Sequence, residues 1–516
     1  MPQLHRIGDQ LMPLLRVARR INEQRDVATL AQTIVAEARA LCRAEAGALW
    51  LYRGGGGDER LVCMIRQGEG GTGVTDGVEV PLARSGCPVA RVAKEGETLL
   101  LASGQGLAEE DRALWVPDLV TEVSAQLLVP LPNHDGEVVG VVQLINARDD
   151  QGHRLAFSRR QRVVAEALAG YAGIALNNLL VVAEMKDLLD AFVKVIAQAI
   201  DAKSPHTSAH CQRVPLLTEL LARAACQDRG TFADFDLDED GWYELRVAAW
   251  LHDCGKLATP DSVLEKSTKL HALHDRIDMI AARFAVLRAE LVADFAERER
   301  TEPERASALA AERERALAEL EADLALLQRV NLGGETMARE DQERVRGMAG
   351  RTWTDAQGRL QPLLSEDEVS NLCIPKGTLT EDERAVINGH MDVTLAMLES
   401  LPFPRKLRRV PEYAGGHHER MDGTGFPRGL TREQMSIPAR IMAIADIFEA
   451  LTSRERPYKP PLKLSEALAI MRQMRDDHHL DPDLYRLFLD AGVWRQYALE
   501  ALDPEQRDVE EVSKYR

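Results

Sequence analysis

Hydrophobic and polar positions along the chain change period several times, and each change marks a boundary. Over roughly residues 1–45 the apolar positions repeat at helical spacing, with Leu11, Leu14, Leu15, Val17 and Ala18 in a first group. Asp26 stands where it caps a second helix bearing Leu30, Ile34, Ala38 and Leu41. From Gly47 the period shortens toward that of a strand. Residues 48–52 (ALWLY) and 61–65 (LVCMI) predict strands joined by a turn at Gly54 to Gly57. Residues 126–132 and 138–146 flank Asp135-Gly136, a hairpin signal. Residues 157–177 return to the helical period, and a further helix is predicted over 179–202. Its stripe of Leu180, Val181, Met185, Leu188, Leu189 and Phe192 is wide. Such a stripe either packs on its own domains or pairs with a second copy as a coiled coil; the need to couple one half of the chain to the other favours the pair.

The remainder predicts helices throughout. Ser204-Pro205 is a helix start, with a Ser cap and Pro in the first turn, and Pro215 predicts a kink. A helix over 242–251 ends in His252-Asp253. Residues 297–327 are rich in Ala, Glu, Arg and Leu. There Leu309, Leu317, Leu320, Leu324 and Leu327 predict an amphipathic antiparallel pair of helices, either a solvated excursion or a partner surface. Thr380 caps a helix with an acidic first turn, and further helices follow Ser465. The expected architecture is multidomain. An N-terminal helix (1–27) leads into an α+β domain with an antiparallel sheet (28–178). A linker helix (179–203) then reaches an all-α domain (204–516) with a helical insertion at about 271–375.

Composition narrows the class. The 516 residues are 45% hydrophobic and 5% aromatic, with a net charge of −18. Nucleic-acid polymers are unexpected partners, because a polyanion is held by clustered Lys and Arg, and no basic stripe is present. Seven cysteines without paired spacing read as reduced thiols, and no window of about 20 apolar residues is available to span a bilayer. A cytoplasmic protein without a membrane segment is expected.

Chemistry concentrates in a few short stretches. His417-His418 precedes the acidic, glycine-rich turn ERMDGTGFP. Adjacent helical residues point about 100° apart, so this pair serves two neighbouring cations better than one. His252-Asp253 ends the apolar run VAAWL, where a carboxylate is costly unless paired or metal-bound. His390 shares a helical face with Val386, Val393 and Met397, and Asp446 lies in the apolar stretch IMAIADIF. A lone histidine on an apolar face is usually a satisfied core residue, and an adjacent pair is usually solvated. Their occurrence together argues for a site.

In order, HDCGK, NGHMD, HHERMDGTGFP and IADIFEAL…RPYK resemble the HD-GYP subgroup of the HD metal-dependent phosphohydrolases. The segment LLVPLPNHDGEVVGVVQLINARDDQG, followed by FS, resembles a GAF sensory domain. The first resemblance implies a bacterial signalling phosphodiesterase for cyclic dinucleotides, chiefly cyclic di-GMP. It implies a metal shell of His210, His252, Asp253, His390, His417, His418 and Asp446. These ligands are too many for one tetrahedral zinc and suit two divalent metals, iron or manganese, sharing a carboxylate and a bridging hydroxide that attacks the phosphodiester. Asp253 and Lys256 are the catalytic candidates, with Lys256 on the phosphate; Arg456 and Lys459 are assigned to the second phosphate, and Gly423 to the substrate loop. Arg213 either contacts a phosphate or braces Asp253.

The sequence departs from the family pattern at three positions. Phe426 replaces the tyrosine of GYP, Glu449 replaces an aspartate in a position expected to support the ligands, and His206, a candidate ligand of a third metal, stands where members with three metals carry glutamate. A GAF domain implies an unknown small ligand and a regulatory role. The alternatives are a catalytically weak receptor or scaffold, and a phosphohydrolase for another nucleotide.

Overall fold

The structure, a computed structural model, describes all residues except 1–15, 55–57, 69–70, 75–77, 85, 103–121, 204–209, 335 and 454–460. It divides into two compact units, Met1–Leu189 and Asp190–Arg516.

The first unit is built on an antiparallel sheet. Helix α1 (Val27–Cys42) starts where Asp26 accepts a hydrogen bond from the Thr29 amide at 2.7 Å. Strands β1 (Ala44–Arg53), β2 (Arg60–Gly68), β3 (Gly71–Val74), β5 (Leu99–Ala102), β6 (Ala125–Pro132) and β7 (Val138–Arg148) run in the order β3-β2-β1-β7-β6-β5. Two short strands, β4 (Glu79–Pro81) and β8 (Arg154–Leu155), pair with β2 and β7. The predicted hairpin joins β6 to β7, with Gly136 at φ +84° and the Asn133 carboxamide oxygen accepting from the Asp135 and Glu137 amides.

Strand β1 is central and buried on both faces. Leu49 and Leu51 enter the core formed with α1 and the start of the long helix α3 (Arg159–Lys203). Ala48 and Trp50, on the alternate positions, enter a second core under α2 (Pro88–Glu95). The expected break between a helix ending near 177 and a linker helix is absent: α3 runs through both without interruption.

The second unit is helical. It comprises α4 (His210–Gln227), α5 (Glu239–Leu251), α6 (Ile277–Thr301), α7 (Ala306–Asn331), α8 (Arg339–Met348), α9 (Glu366–Leu372), α10 (Glu381–Asn388), α11 (His390–Ser400), α12 (Val410–Gly415) and α13 (Ile437–Thr452). Helices α14 (Leu464–Asp476), α15 (Pro482–Asp490) and α16 (Val493–Ala501) complete it. Helix α4 continues through Pro215. The predicted pair of charged helices is α6 and α7. From the ion pair Arg288–Glu321 to the pairs Arg298–Glu312 and Glu299–Arg313 the α6 number rises while the α7 number drops, so the helices are antiparallel.

The insertion has a core of its own, in which Ile280, Phe284, Leu327, Val345, Leu363 and Leu372 are buried. It also contains a two-stranded hairpin, β9 (Thr352–Thr354) with β10 (Leu360–Pro362), so the unit is not purely α-helical as expected. No helix among the described residues is long and apolar enough to cross a membrane.

Candidate metal centre

Five elements deliver the site. His210 opens α4, His252 and Asp253 follow α5, His390 opens α11, His417 and His418 follow α12, and Asp446 sits in the middle of α13. Helix α13 is buried on nearly every side, with Ile441, Met442, Ala443, Ile444, Ala445 and Phe448 in the interior, so the Asp446 carboxylate is held in an apolar setting. The turn after Asp253 presses against α11. A Cβ on Gly255 would sit 2.0 Å from the His390 carbonyl oxygen, while the Gly255 amide donates to Thr394 Oγ1 at 2.9 Å. Only glycine permits that approach.

The seven side chains form two groups that share Asp253: His210, His252, Asp253 and Asp446, and Asp253, His390, His417 and His418. Within each group one ligand atom from every residue lies within 4.8 Å of the others. Asp253 straddles the groups. Its Oδ2 is 3.4 Å from His210 Nε2 and 3.3 Å from His252 Nε2, and its Oδ1 is 3.3 Å from His390 Nε2 and 3.9 Å from His417 Nε2. Asp446 Oδ1 is 3.3 Å from His210 Nε2 and 3.7 Å from His252 Nε2.

The rings are oriented from behind. His252 Nδ1 donates to the Ala249 carbonyl at 2.8 Å, His417 Nδ1 to that of Ala414 at 2.6 Å, and His390 Nδ1 to that of Ile387. Carbonyl oxygens only accept, so Nδ1 carries the proton and Nε2 of the neutral ring is a bare lone pair. The Nε2 atoms of His210, His252, His390 and His417 and the Oδ1 atom of Asp253 are buried without a hydrogen-bond partner. Lone pairs turned toward buried carboxylates call for cations between them, and the donor set fits divalent metals that accept imidazole and carboxylate.

Electrostatics agree for the two carboxylates and for His417 and His418, whereas in the absence of a cation His210 and His252 favour the protonated ring. Burial would raise the Asp253 carboxyl, but Lys256 and His252 hold it well below the usual carboxylate range, and Asp446 is likewise depressed by His210 and His252 against burial. Burial pushes His417 well below the ordinary histidine range and His418 down to about 4, which keeps both neutral. For His210 and His252 burial pulls the other way, yet the surrounding carboxylates raise the first well above its ordinary value and the second to about 9.

The structure brings Lys256 onto the cluster, with Nζ 2.6 Å from Asp253 Oδ2. Arg213 Nε donates to Glu449 Oε1 at 2.6 Å and its Nη2 to Ser453 Oγ at 3.0 Å, so it braces Glu449. The other Glu449 oxygen accepts from His210 Nδ1. Gly423 lies in the loop after His418 at φ +78°, its amide donating to the Arg420 carbonyl. Phe426 stacks on His418, with ring centroids 4.9 Å apart and planes 20° from parallel. His206, Arg456 and Lys459 lie outside the described residues.

One residue that sequence reasoning missed is Glu419. It is fully buried and accepts from the Arg428 amide at 2.7 Å and the Leu430 amide at 2.9 Å, tying the glycine-rich loop back to the histidine pair. The signal was an acidic residue directly after two ligands and before a loop whose amides need acceptors.

Residues 24–177 match the GAF domain family and residues 366–484 match an HD domain family; the chain carries one domain of each kind. The HD match begins after His210, His252, Asp253 and Lys256, which the fold brings to it. Among curated relatives, the chain is 42% identical over 106 residues to 3'3'-cGAMP-specific phosphodiesterase 3 of Vibrio cholerae, covering 20% of this chain and 22% of the relative. It is 37% identical over 128 residues to the cyclic di-GMP phosphodiesterase PA4108 of Pseudomonas aeruginosa, covering 25% and 30%. It is 23% identical over 340 residues to 3'3'-cGAMP-specific phosphodiesterase 2 of Vibrio cholerae, covering 66% and 42%. Each alignment thus spans less than half of the relative's own length. A GAF domain from an Acinetobacter phosphoenolpyruvate-protein phosphotransferase aligns over 34% of this chain and 95% of its own at 18% identity, with a TM-score of 0.27, too low to carry an argument.

Proposed function

We propose that the protein is a metal-dependent phosphodiesterase that hydrolyses cyclic di-GMP to the linear dinucleotide or GMP. The observation that carries this reading is Asp253, whose two carboxylate oxygens face two separate ligand groups while Lys256 stands beside it. His210, His252 and Asp446 would hold one divalent ion with Asp253, and His390, His417 and His418 would hold the other. Iron or manganese suits these donors. When bound, the metals supply an acidified water and positive charge opposite the phosphate oxygens. The Lys256 ammonium, with 21% of its side chain exposed, stabilises charge developing on the phosphate. The GAF domain tunes output through a small ligand. The setting is the bacterial cytoplasm, in keeping with seven free cysteines and no spanning helix among the described residues.

A second reading keeps the chemistry and changes the base: 3'3'-cGAMP as substrate, favoured by the names of several matched relatives. Protein loaded with manganese or iron under reducing conditions should linearise one of the two dinucleotides, and the ratio of kcat/KM values decides between them. Lys256→Ala should retain metal and lose turnover by about 100- to 1,000-fold, as the loss of one charge-stabilising donor does elsewhere. Tight binding without hydrolysis in both forms would instead identify a receptor. Failure to act on any cyclic dinucleotide with metal retained would refute the enzymatic reading.

A further inference from the structure

His418 is held differently from the other ligand histidines. His210 Nδ1 is bonded to Glu449, and His252, His390 and His417 each place Nδ1 on the carbonyl of the residue three before. Among the described residues, none hydrogen-bonds the His418 ring. It meets other rings instead. Phe426 lies face to face with it at 4.9 Å and 20°, His417 is tilted against it at 4.2 Å and 43°, and His390 meets it edge-on at 5.2 Å and 86°. The torsion that turns a histidine ring is broad and roughly two-fold, so a ring without a hydrogen bond has little to fix its plane. A nearly parallel aromatic face supplies that restraint, because tilting the imidazole drives its edge into the neighbouring ring. Phe426 is itself firmly seated. A Cβ on Gly425 would stand 2.4 Å from the Arg420 nitrogen and 2.5 Å from Glu419 Cα, so the loop backbone lies directly against the residues that follow the histidine pair. The Phe426 amide donates to the His418 carbonyl at 3.3 Å, and beyond it the Arg428 and Leu430 amides end on Glu419. These contacts belong to the backbone and to Glu419, so exchanging the Phe426 side chain leaves them in place.

We infer, on the reading that the cluster holds two divalent ions, that Phe426 is a positioning residue whose ring does for His418 what a backbone carbonyl does for His252, His390 and His417. The aromatic face, and not a hydroxyl, is what the ion needs, so phenylalanine serves here as well as the tyrosine of the family pattern. His418 is also the one histidine of its group that can turn away without breaking a hydrogen bond. The ion shared by Asp253, His390, His417 and His418 therefore depends on the glycine-rich loop that carries Phe426. The other group, His210, His252, Asp253 and Asp446, has no ring stacked on Phe426 and is held by Glu449 and the Ala249 carbonyl, so it should not respond.

Manganese titration of the full chain, followed by the electron paramagnetic resonance of the free ion, resolves the two affinities without any nucleotide. Phe426→Leu keeps apolar bulk and loses the flat face. It should weaken one ion about tenfold and leave the other unchanged, the size of loss that removing a supporting partner from a ligand gives. Phe426→Tyr should bind both ions as wild type does. The melting temperature of the metal-free chain should be the same in all three, which separates positioning from a contribution to folding. His418→Ala should weaken the same ion. Adding Phe426→Leu to it should cost nothing more, because a residue that acts through His418 has no effect once the imidazole is gone. Unchanged affinities in Phe426→Leu would overturn the inference, as would an equal loss at both ions or a loss that adds in full to that of His418→Ala. A wild-type chain that takes up no manganese would overturn the metal reading itself, and this inference with it.

Discussion

Glu449→Gln tests how the site is held together, because it keeps shape and removes one acceptor. The carboxylate serves two donors at once, His210 Nδ1 through one oxygen and Arg213 Nε at 2.6 Å through the other, and the side chain is 1% exposed. Glutamine offers one oxygen and an NH2 group. Whichever way the amide turns, one buried donor faces another donor, at a cost of about 1–3 kcal/mol. If the oxygen stays with Arg213, His210 loses the partner that fixes its proton on Nδ1 and its lone pair on Nε2. Loss of such a supporting contact weakens metal binding by about 10- to 100-fold, or about 1.4–2.8 kcal/mol. The effect should be lopsided. His390 and His417 lean on the Ile387 and Ala414 carbonyls, and nothing links those to Glu449. Plasma mass spectrometry after gel filtration at limiting manganese should therefore find two ions per wild-type chain and close to one in the variant. Two ions retained with unchanged affinity would refute the argument, and so would loss of both from a chain that still folds.

Two further changes probe other links. Gly255→Ala drives a Cβ to within 2.0 Å of the His390 carbonyl oxygen, so the turn must leave α11; metal content should fall at least tenfold and Tm by several degrees, and normal metal content would show that the contact relaxes cheaply. Glu45 should stabilise the sheet domain in a pH-dependent way. Its pKa falls from 4.5 to about 2, chiefly because Arg154 bonds it, with Asn146 and Arg148 adding to this against burial. A depressed carboxyl stabilises the fold fully above its unfolded value near 4.5, and that contribution fades as pH drops toward 2. The shift corresponds to roughly 3 kcal/mol. Glu45→Gln should lower the urea midpoint at pH 7, and the gap from wild type should shrink as the pH falls to 3; a gap independent of pH would contradict this account.

Much of the fold was legible because its signals are local. Asp26, Thr380 and the Asp135-Gly136 turn act within a few residues, and each does what its residue type predicts. Asp446 was legible for a different reason: an ionisable side chain inside IMAIADIF demands a partner whatever the tertiary fold. What escaped was whatever depends on who faces whom. In sequence terms Arg213 either contacts a phosphate or braces Asp253, and only the packing of α4 against α13 brings it to Glu449. Glu419 looked like part of a loop motif, but its acceptors' work is done on Arg428 and Leu430, residues whose amides become orphaned only once the loop has folded. The β9–β10 hairpin escaped because three-residue strands carry too few positions to show alternation.

The insertion raises the question of how so long an excursion leaves the ligand set intact. The answer lies at its base. Lys269, 2% exposed, donates to the Leu372 and Ile374 carbonyls at 2.9 and 2.7 Å, so the first residues of the excursion are tied to its last. Asn331, at the end of α7, accepts from the Leu270 amide with its side chain and from the Lys269 amide with its carbonyl. Nearby, Lys266 bridges Asn371 and Glu383, the residue that also closes the cap of α10 just before His390. These contacts close the long loop close to its neck, so the entropy of the excursion is spent there and not on positioning His390 against Asp253. A charge buried as deeply as Lys269 is costly without partners, and burial does push its ammonium down. Two carbonyls from the far side of the neck are the compensation, which makes the joint a single cooperative knot: the excursion can vary in length or sequence beyond it while α5 and α11 keep their mutual register at the site.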